Sequence, residues 1–277
     1  MSEQRRAPST AGPARIGHPR LHLRRTGSTN ERARELAFAG APHGTLVTAD
    51  EQTAGRGRQG RRWSAPAGSS LLSSLLLREV PTLLPLIAAV AVCDVAGARA
   101  RIKWPNDVVV EAAASPVAPA GEHADTSVAL AKLAGILVEG RPQEGWAVLG
   151  IGLNVAVDLE QLPAELRAGA DGRTPGGAGL PAATLGLAPA DVEPTLARLL
   201  DALDRRLAEP AEASLRAWRE RDALRGREIA WRTQGAAERT EHGRAEGIDE
   251  TGRLVVALAD GGRTTIGAGE VHLQGAA

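Results

Sequence analysis

Leu21 and Leu23 alternate with polar neighbours, the two-residue period of a half-buried strand. The period then changes. After Ser28, the apolar residues Ala33, Leu36 and Ala37 recur at helical spacing, so residues 29–39 read as a helix. Ser28 with Glu31 matches a capping box at its start, and Gly40 supplies a stop at its end. Residues 45–49 and 71–77 read as strands, and residues 82–98 as a helix whose Ala, Leu and Val bury one face around Cys93. Three further strands follow at 102–110, 133–139 and 146–157, and strands in unbroken succession predict an antiparallel sheet. Residues 111–131 are Ala- and Pro-rich without periodicity, and 171–186 are rich in Gly and Pro, so both read as loops. Apolar positions from Val192 to Trp218 predict two helices, broken near Pro210, that cover the sheet.

After Leu224 the pattern shortens. Residues 229–232, 243–248, 254–258 and 263–266 alternate in polarity between turn signals such as Asp249-Glu250-Thr251-Gly252 and Asp260-Gly261-Gly262. About five short strands in about fifty residues suit a small β-barrel. The expected organisation is α+β: a disordered tail over residues 1–20, a mixed domain over 21–223 and a β domain over 224–277.

Composition narrows the function. With 33 basic and 33 acidic side chains the chain is neutral, so it lacks the basic excess that drives non-specific nucleic-acid binding. Its single cysteine, Cys93, cannot form an internal disulfide, which fits a reduced, cytoplasmic setting. The longest apolar run, residues 83–93, contains Pro85 and is about half of what a membrane span needs. The first twenty residues have arginines but no apolar core, so they do not form a secretory signal.

Candidate chemistry concentrates in a few windows. Of the 33 cations only Lys103 and Lys132 are lysine, and asparagine occurs only at Asn30, Asn106 and Asn154. Arginine has taken the generic surface positions, and a retained lysine offers what arginine cannot, a compact point charge suited to a reacting carboxyl or phosphoryl oxygen. Residues 55–62 hold Arg56, Arg58, Arg61 and Arg62 among Gly55, Gly57 and Gly60. The glycines satisfy a dinucleotide-binding spacing, but arginines fill the gaps and Ser64-Ala65-Pro66 follows instead of a helix. Such a loop closes over an anionic ligand or is a solvated basic turn. Gly135, Gly150 and Gly152 sit inside strands, where glycine marks close approach by a ligand or by backbone.

Taken in order, Ser28-Thr29-Asn30, Gln52 with the 55–60 loop, Lys103-Trp104-Pro105-Asn106-Asp107, residues 132–139 and residues 150–154 resemble the motif set of bacterial biotin protein ligases, over nearly the whole chain from residue 22. The resemblance implies a catalytic domain like that of class II aminoacyl-tRNA synthetases, with a mixed, largely antiparallel sheet, followed by an SH3-like barrel. It also implies ATP-dependent activation of biotin as biotinyl-5′-AMP and transfer to a lysine of a biotin carboxyl carrier protein. In such enzymes positions matching Ser28, Thr29, Asn30, Gln52, Arg56, Gly57, Arg58 and Lys132 contact biotin or its adenylate, and those matching Arg61, Trp63, Asn106 and Asn154 lie near the nucleotide. Gly55, Gly135, Gly150 and Gly152 join these as binding candidates, and Arg56, Arg58, Lys103, Asp107 and Lys132 are the catalytic candidates.

Alternatives stay open at individual positions. Ser28 is a helix cap whether or not it meets ligand. Gln52 is a ligand contact or a loop residue, and Trp63 is core or a stacking surface for adenine. Asp107 orients Lys103, holds Mg²⁺ or helps deprotonate the acceptor amine. With about twenty unpatterned residues before the motifs, no DNA-binding domain and no DNA partner are expected, and the oligomer is a monomer or a weak homodimer. Two other functions compete: a lipoyl-protein ligase, and a basic-loop nucleic-acid binder, for which six aromatic residues provide little stacking.

Overall fold

The structure is a computed structural model that describes residues 16–111, 129–168, 179–232, 239–267 and 271–273. Ile16 is buried in the core and Arg20 opens the first strand, so the fold is already under way within the last five of the first twenty residues. Strands β1 (Arg20–Thr26) and β2 (Leu46–Gln52) pair in parallel, and helix α1 (Thr29–Phe38) makes the crossover that parallel neighbours require. Strands β3 (Ser70–Leu77), β4 (Arg101–Lys103), β5 (Asp107–Glu111), β6 (Leu130–Arg141) and β7 (Trp146–Asn154) extend this pair with antiparallel neighbours. The order across the seven-stranded sheet is β1-β2-β3-β7-β6-β5-β4.

The single strand expected over 102–110 is in fact a hairpin. Pro105 has no N–H to give to a ladder, and the chain turns through Trp104, Pro105 and Asn106 so that Lys103 pairs across to Asp107. The loop expected over 111–131 lies mostly outside the described residues, though Glu111, Leu130 and Ala131 are strand. Of the loop expected over 171–186, residues 171–178 are likewise outside. Beyond them the chain runs beside β6, where Lys132 N donates to Pro181 O (2.6 Å) and Ala183 N donates to Lys132 O (2.8 Å).

Helix α2 (Leu84–Ala96) is buried along nearly its whole length, as an all-round apolar helix must be. It lies over one face of the sheet, nearest β4, β5 and β6, and joins the core that also holds Leu71, Leu75, Leu149 and Leu153. A short helix, α3 (Ala164–Ala168), precedes α4 (Val192–Ala208) and α5 (Ala211–Arg219), which break at Pro210 as expected. The expectation that both cover the sheet needs correcting. They lie mainly on α2, α4 also touching β3, because α2 has already taken the sheet's apolar face. Burial pushes the Cys93 thiol up to about 12, leaving it an inert core residue. On the opposite face α1 packs Ala33 and Ala37 against Val47, Leu76 and Val148.

Strands β8 (Glu228–Arg232), β9 (Thr240–Ile248), β10 (Leu254–Ala257), β11 (Arg263–Ile266) and β12 (Val271–Leu273) form a separate antiparallel sheet in the order β11-β10-β9-β8-β12. Its apolar side, with Ile229, Trp231, Leu254 and Val256, continues the main core. Two polar tethers cross the seam: Lys103 Nζ donates to Val271 O (2.6 Å) and Trp104 Nε1 donates to Gly252 O (3.1 Å). Gly252 (φ +78) leaves room there for Leu86, which a Cβ would meet at 2.6 Å.

Asp222 lies beside the same seam, bridged to Ile102 of β4. Its Oδ1 accepts from Leu224 N (2.8 Å), while Oδ2 is buried without a hydrogen-bond partner among the described residues. Burial pushes this carboxyl up to about 6, against the pull of the Leu224 and Arg225 backbone N–H groups and the Arg225 charge. A raised pKa in the folded state means that the fold favours the protonated form. The stabilisation is therefore complete below the unfolded value of 3.8 and is lost as pH rises to about 6. Asp222→Asn is expected to gain about 2 kcal/mol on its parent between pH 4 and pH 7. Urea unfolding of both proteins at the two pH values measures this, and a constant difference would contradict it.

Candidate active site

Strand alternation sets the floor of the site. Gly135 on β6 pairs with Gly152 on β7, Leu137 pairs with Gly150, and Asn154 pairs with Ser70 of β3, so these residues share the face away from α2. Above them lies a cavity of about 310 Å³, within the range of small-molecule sites. Ser28, Thr29, Asn30, Gln52, Arg56, Gly57, Arg58, Arg61, Trp63, Lys103, Asn106, Asp107, Lys132, Gly135, Gly150, Gly152 and Asn154 all line it. Of the residues expected at the site, Gly55 alone lines only the outer groove. It is buried against the backbone of Trp63, whose carbonyl a Cβ would meet at 2.4 Å.

The in-strand glycines are close-approach positions, with side chains of this chain as the neighbours. A Cβ on Gly152 would fall 2.6 Å from the Trp63 ring, and one on Gly135 would fall 3.0 Å from it. On Gly150 it would fall 2.1 Å from Asn30 Oδ1.

The start of α1 supplies the first wall. Ser28 holds the extended N-cap backbone (φ −153°, ψ 135°), yet its hydroxyl makes no cap, which corrects the capping-box expectation. Glu31 is instead drawn to Arg56 Nη2 (3.5 Å), and Ser28 Oγ is buried facing the cavity with no hydrogen-bond partner among the described residues. Thr29 donates from both N (2.7 Å) and Oγ1 (3.0 Å) to Gln52 Oε1, which fixes that amide. Asn30 is 4% exposed; its Oδ1 accepts from Ser74 Oγ (2.6 Å) and its Nδ2 donates to Glu139 Oε2 (2.8 Å).

The arginine-rich segment folds as a hairpin. Gly57 N donates to Arg61 O (2.7 Å), Trp63 N donates to Gly55 O (3.0 Å), and Gln59 (φ 54°) with Gly60 (φ 75°) makes the turn. Arg62 secures the base through Nη2 to Thr53 O (2.6 Å). No α-helix begins at these glycines, which removes the dinucleotide-binding reading.

Opposite the hairpin, Lys132 Nζ stands 2.7 Å from Asp107 Oδ1 and 5.7 Å from the centroid of the Trp63 ring. Trp63 is half-buried, with its Nε1 buried and without a hydrogen-bond partner among the described residues. The two other asparagines brace backbone: Asn106 Nδ2 donates to Ile136 O (2.9 Å) and Asn154 Nδ2 to Ala183 O (2.9 Å). Lys103 lines the cavity, but its ammonium reaches the Val271 carbonyl across the seam. The insert expected to be a surface loop contributes nothing that can be placed, since residues 112–128 lie outside the described set.

Sequence reasoning missed three contributors. Ser74 is one of three serines, with Ser70 and Ser73, in a strand that is otherwise leucine and wholly buried, the one signal that points to it. Glu139 ends the motif over residues 132–139, and nothing in its local sequence marks its partners. Val157, at the end of the strand expected over 146–157, forms an apolar wall with Leu162, Leu166 and Leu180 from segments without clear periodicity. Among the described residues no helix is long and apolar enough to cross a membrane, and no group of three or more His, Cys, Asp or Glu side chains could hold a metal ion.

Comparison with known proteins gives a consistent result. The Biotin/lipoate A/B protein ligase family model matches residues 22–156, and that of the Biotin protein ligase C terminal domain matches residues 226–273. A biotin--[acetyl-CoA-carboxylase] ligase of Paracoccus denitrificans is 35% identical over 272 residues, covering 91% of this chain and 100% of that protein. The bifunctional ligase/repressor BirA of Bacillus spizizenii is 38% identical over 152 residues, covering 50% of this chain and 41% of that protein, so the match spans less than half of that relative. Among solved structures, the biotin protein ligase of Aquifex aeolicus in complex with biotin and ATP aligns with a TM-score of 0.69 at 25% identity, over 92% of this chain and 98% of that one. The chain belongs to the biotin protein ligase family, within the wider biotin and lipoate A/B protein ligases.

Proposed function

We propose that this chain uses ATP to activate biotin as biotinyl-5′-AMP and passes the biotinyl group to a lysine of the carrier protein of a biotin-dependent carboxylase. The observation that carries the reading is a cavity in which two buried donors, Ser28 Oγ and Trp63 Nε1, have no hydrogen-bond partner among the described residues, beside the Lys132 ammonium and the arginine hairpin. Buried polar groups are normally satisfied, so an orphaned pair in a cavity signals a ligand that satisfies them.

The chemistry of biotin and ATP fits this distribution. The ureido group of biotin offers a carbonyl acceptor that Ser28 Oγ can reach, and its hydrocarbon portion suits an apolar slot. The adenine ring finds a plane in Trp63 and an apolar cover in Leu162 and Leu166. In the first step a biotin carboxylate oxygen attacks the α-phosphorus and pyrophosphate leaves. Two anions must meet, and Lys132, Arg56 and Arg58 supply the compensating positive charge. Asp107 holds Lys132 in place, so its part is to position the ammonium. In the second step an acceptor amine attacks the acyl carbon and AMP leaves. Lys103 supports the site from behind, joining β4 to the C-terminal sheet.

Magnesium accompanies ATP through the phosphates. Among the described residues Asp107 is the one carboxylate lining the cavity and it pairs with Lys132, so these residues do not form a resident metal site. The neutral charge of the chain supports a reading without a DNA partner.

Biotin-dependent exchange of pyrophosphate into ATP tests the first step directly. The account expects exchange with biotin and none with lipoate; exchange driven by lipoate alone would replace this reading with the lipoyl ligase. Ligand should also tighten the arginine hairpin. Trypsin cleavage within residues 55–62 is expected to slow about fivefold or more when biotin and ATP are both present. Equal cleavage rates with and without ligand would contradict closure over the adenylate.

A further inference from the structure

Glu139 gathers partners from separate segments of the chain, yet lines only the groove on the outer side of the arginine hairpin. Its Oε2 accepts from Asn30 Nδ2 (2.8 Å), and its Oε1 stands 3.7 Å from Arg56 Nη1 and 3.9 Å from Arg34 Nη1. Asn30 is spent within the protein at both ends of its amide. Oδ1 accepts from Ser74, and Nδ2 serves Glu139 together with a long contact to Leu137 O (3.5 Å). It acts as a strut that pins the first turn of α1 to β3 and β6 over Gly150 of β7. Arg56 is held between Glu31 of α1 (3.5 Å) and Glu139 of β6, so the hairpin docks against the same corner.

We propose that Glu139 is a positioning residue for biotin activation, holding the Asn30 amide and the Arg56 guanidinium together so that the α1 corner and the arginine hairpin are preset when biotin enters. The proposal rests on the ligase reading above. Ion pairs this long and partly exposed are individually weak. Their effect comes through the fraction of molecules with the hairpin docked, and a reduced fraction raises the apparent dissociation constant of a ligand in proportion.

Glu139→Gln separates charge from shape, because glutamine keeps an acceptor oxygen for Asn30 but loses the attraction for Arg56 and Arg34. In the pyrophosphate-exchange assay on the full chain, Glu139→Gln is expected to raise the KM for biotin about five- to tenfold. The rise should exceed any fall in kcat by at least about fivefold, with the KM for ATP within about twofold of the parent. In an Arg56→Ala background the same substitution should change the biotin KM by less than about twofold, since the partner is already gone. Equal effects in both backgrounds, or a fall in kcat with the biotin KM unchanged, would overturn the positioning role. Should the parent itself show no biotin-dependent exchange, the ligase reading falls and the proposal with it. Exchange by the parent alongside an unchanged variant overturns the proposal alone.

Discussion

Lys132→Ala is expected to lower biotin-dependent pyrophosphate exchange by about 10²–10³-fold while the chain stays folded. Lys132 is one of only two lysines, and it stands at the junction of Asp107, the Trp63 ring and the cavity. A positive charge held there costs no reorganisation when charge grows on the α-phosphate, and removal of one such preorganised group typically costs about this much. The substitution also leaves the Asp107 carboxylate, 12% exposed, without its ammonium, so a stability loss of about 1–3 kcal/mol accompanies the effect. Circular dichroism and a melting curve separate the two. A folded variant with near-normal exchange would remove Lys132 from the chemistry. Lys132→Arg is informative beside it, because a planar guanidinium cannot take the compact position of the ammonium and should restore only a minor part of the rate.

Gly150→Ala should be nearly as damaging to biotin binding, by a different route. The added Cβ falls 2.1 Å from Asn30 Oδ1, closer than any real contact, and Asn30 is buried with both amide ends bonded. Asn30 must therefore swing out, breaking its bonds to Ser74 and Glu139 and unseating Thr29 from Gln52. Overpacking of this kind costs about 1–3 kcal/mol in stability, and the displaced corner should weaken biotin binding by about 100-fold. Calorimetric titration of biotin into parent and variant measures the change. Binding within threefold of the parent would mean that the corner tolerates movement and that Asn30 is not the strut described.

Most of the architecture was legible because buried segments must be apolar and periodic. The β1-α1-β2 unit, the two strands that became β6 and β7 and the helix pair broken at Pro210 follow from spacing and from proline's missing donor. What remained hidden depended on long-range geometry. The turn at Trp104, Pro105 and Asn106 joins two short apolar stretches, and Pro105-Asn106-Asp107 is local turn chemistry that a count of apolar periods passes over. The capping box does not form: the Ser28 hydroxyl makes no cap, and the Glu31 carboxylate stands beside an arginine 25 residues away. The two lysines looked equivalent in composition, yet Lys132 faces Asp107 in the cavity while Lys103 reaches into the C-terminal sheet. Ser74 and Glu139 become visible only when strand register brings β3, β6 and α1 together around Asn30. Motif order pointed to the cavity, and the hydrogen bonds between motifs required the fold.

The most direct test of the account is the intact mass of a biotin carboxyl carrier domain incubated with this protein, biotin and ATP. The expected product carries one added biotin less one water, on a single lysine, and the mass stays unchanged when ATP is left out. An unmodified carrier in the complete mixture, or the same modification without ATP, would contradict it.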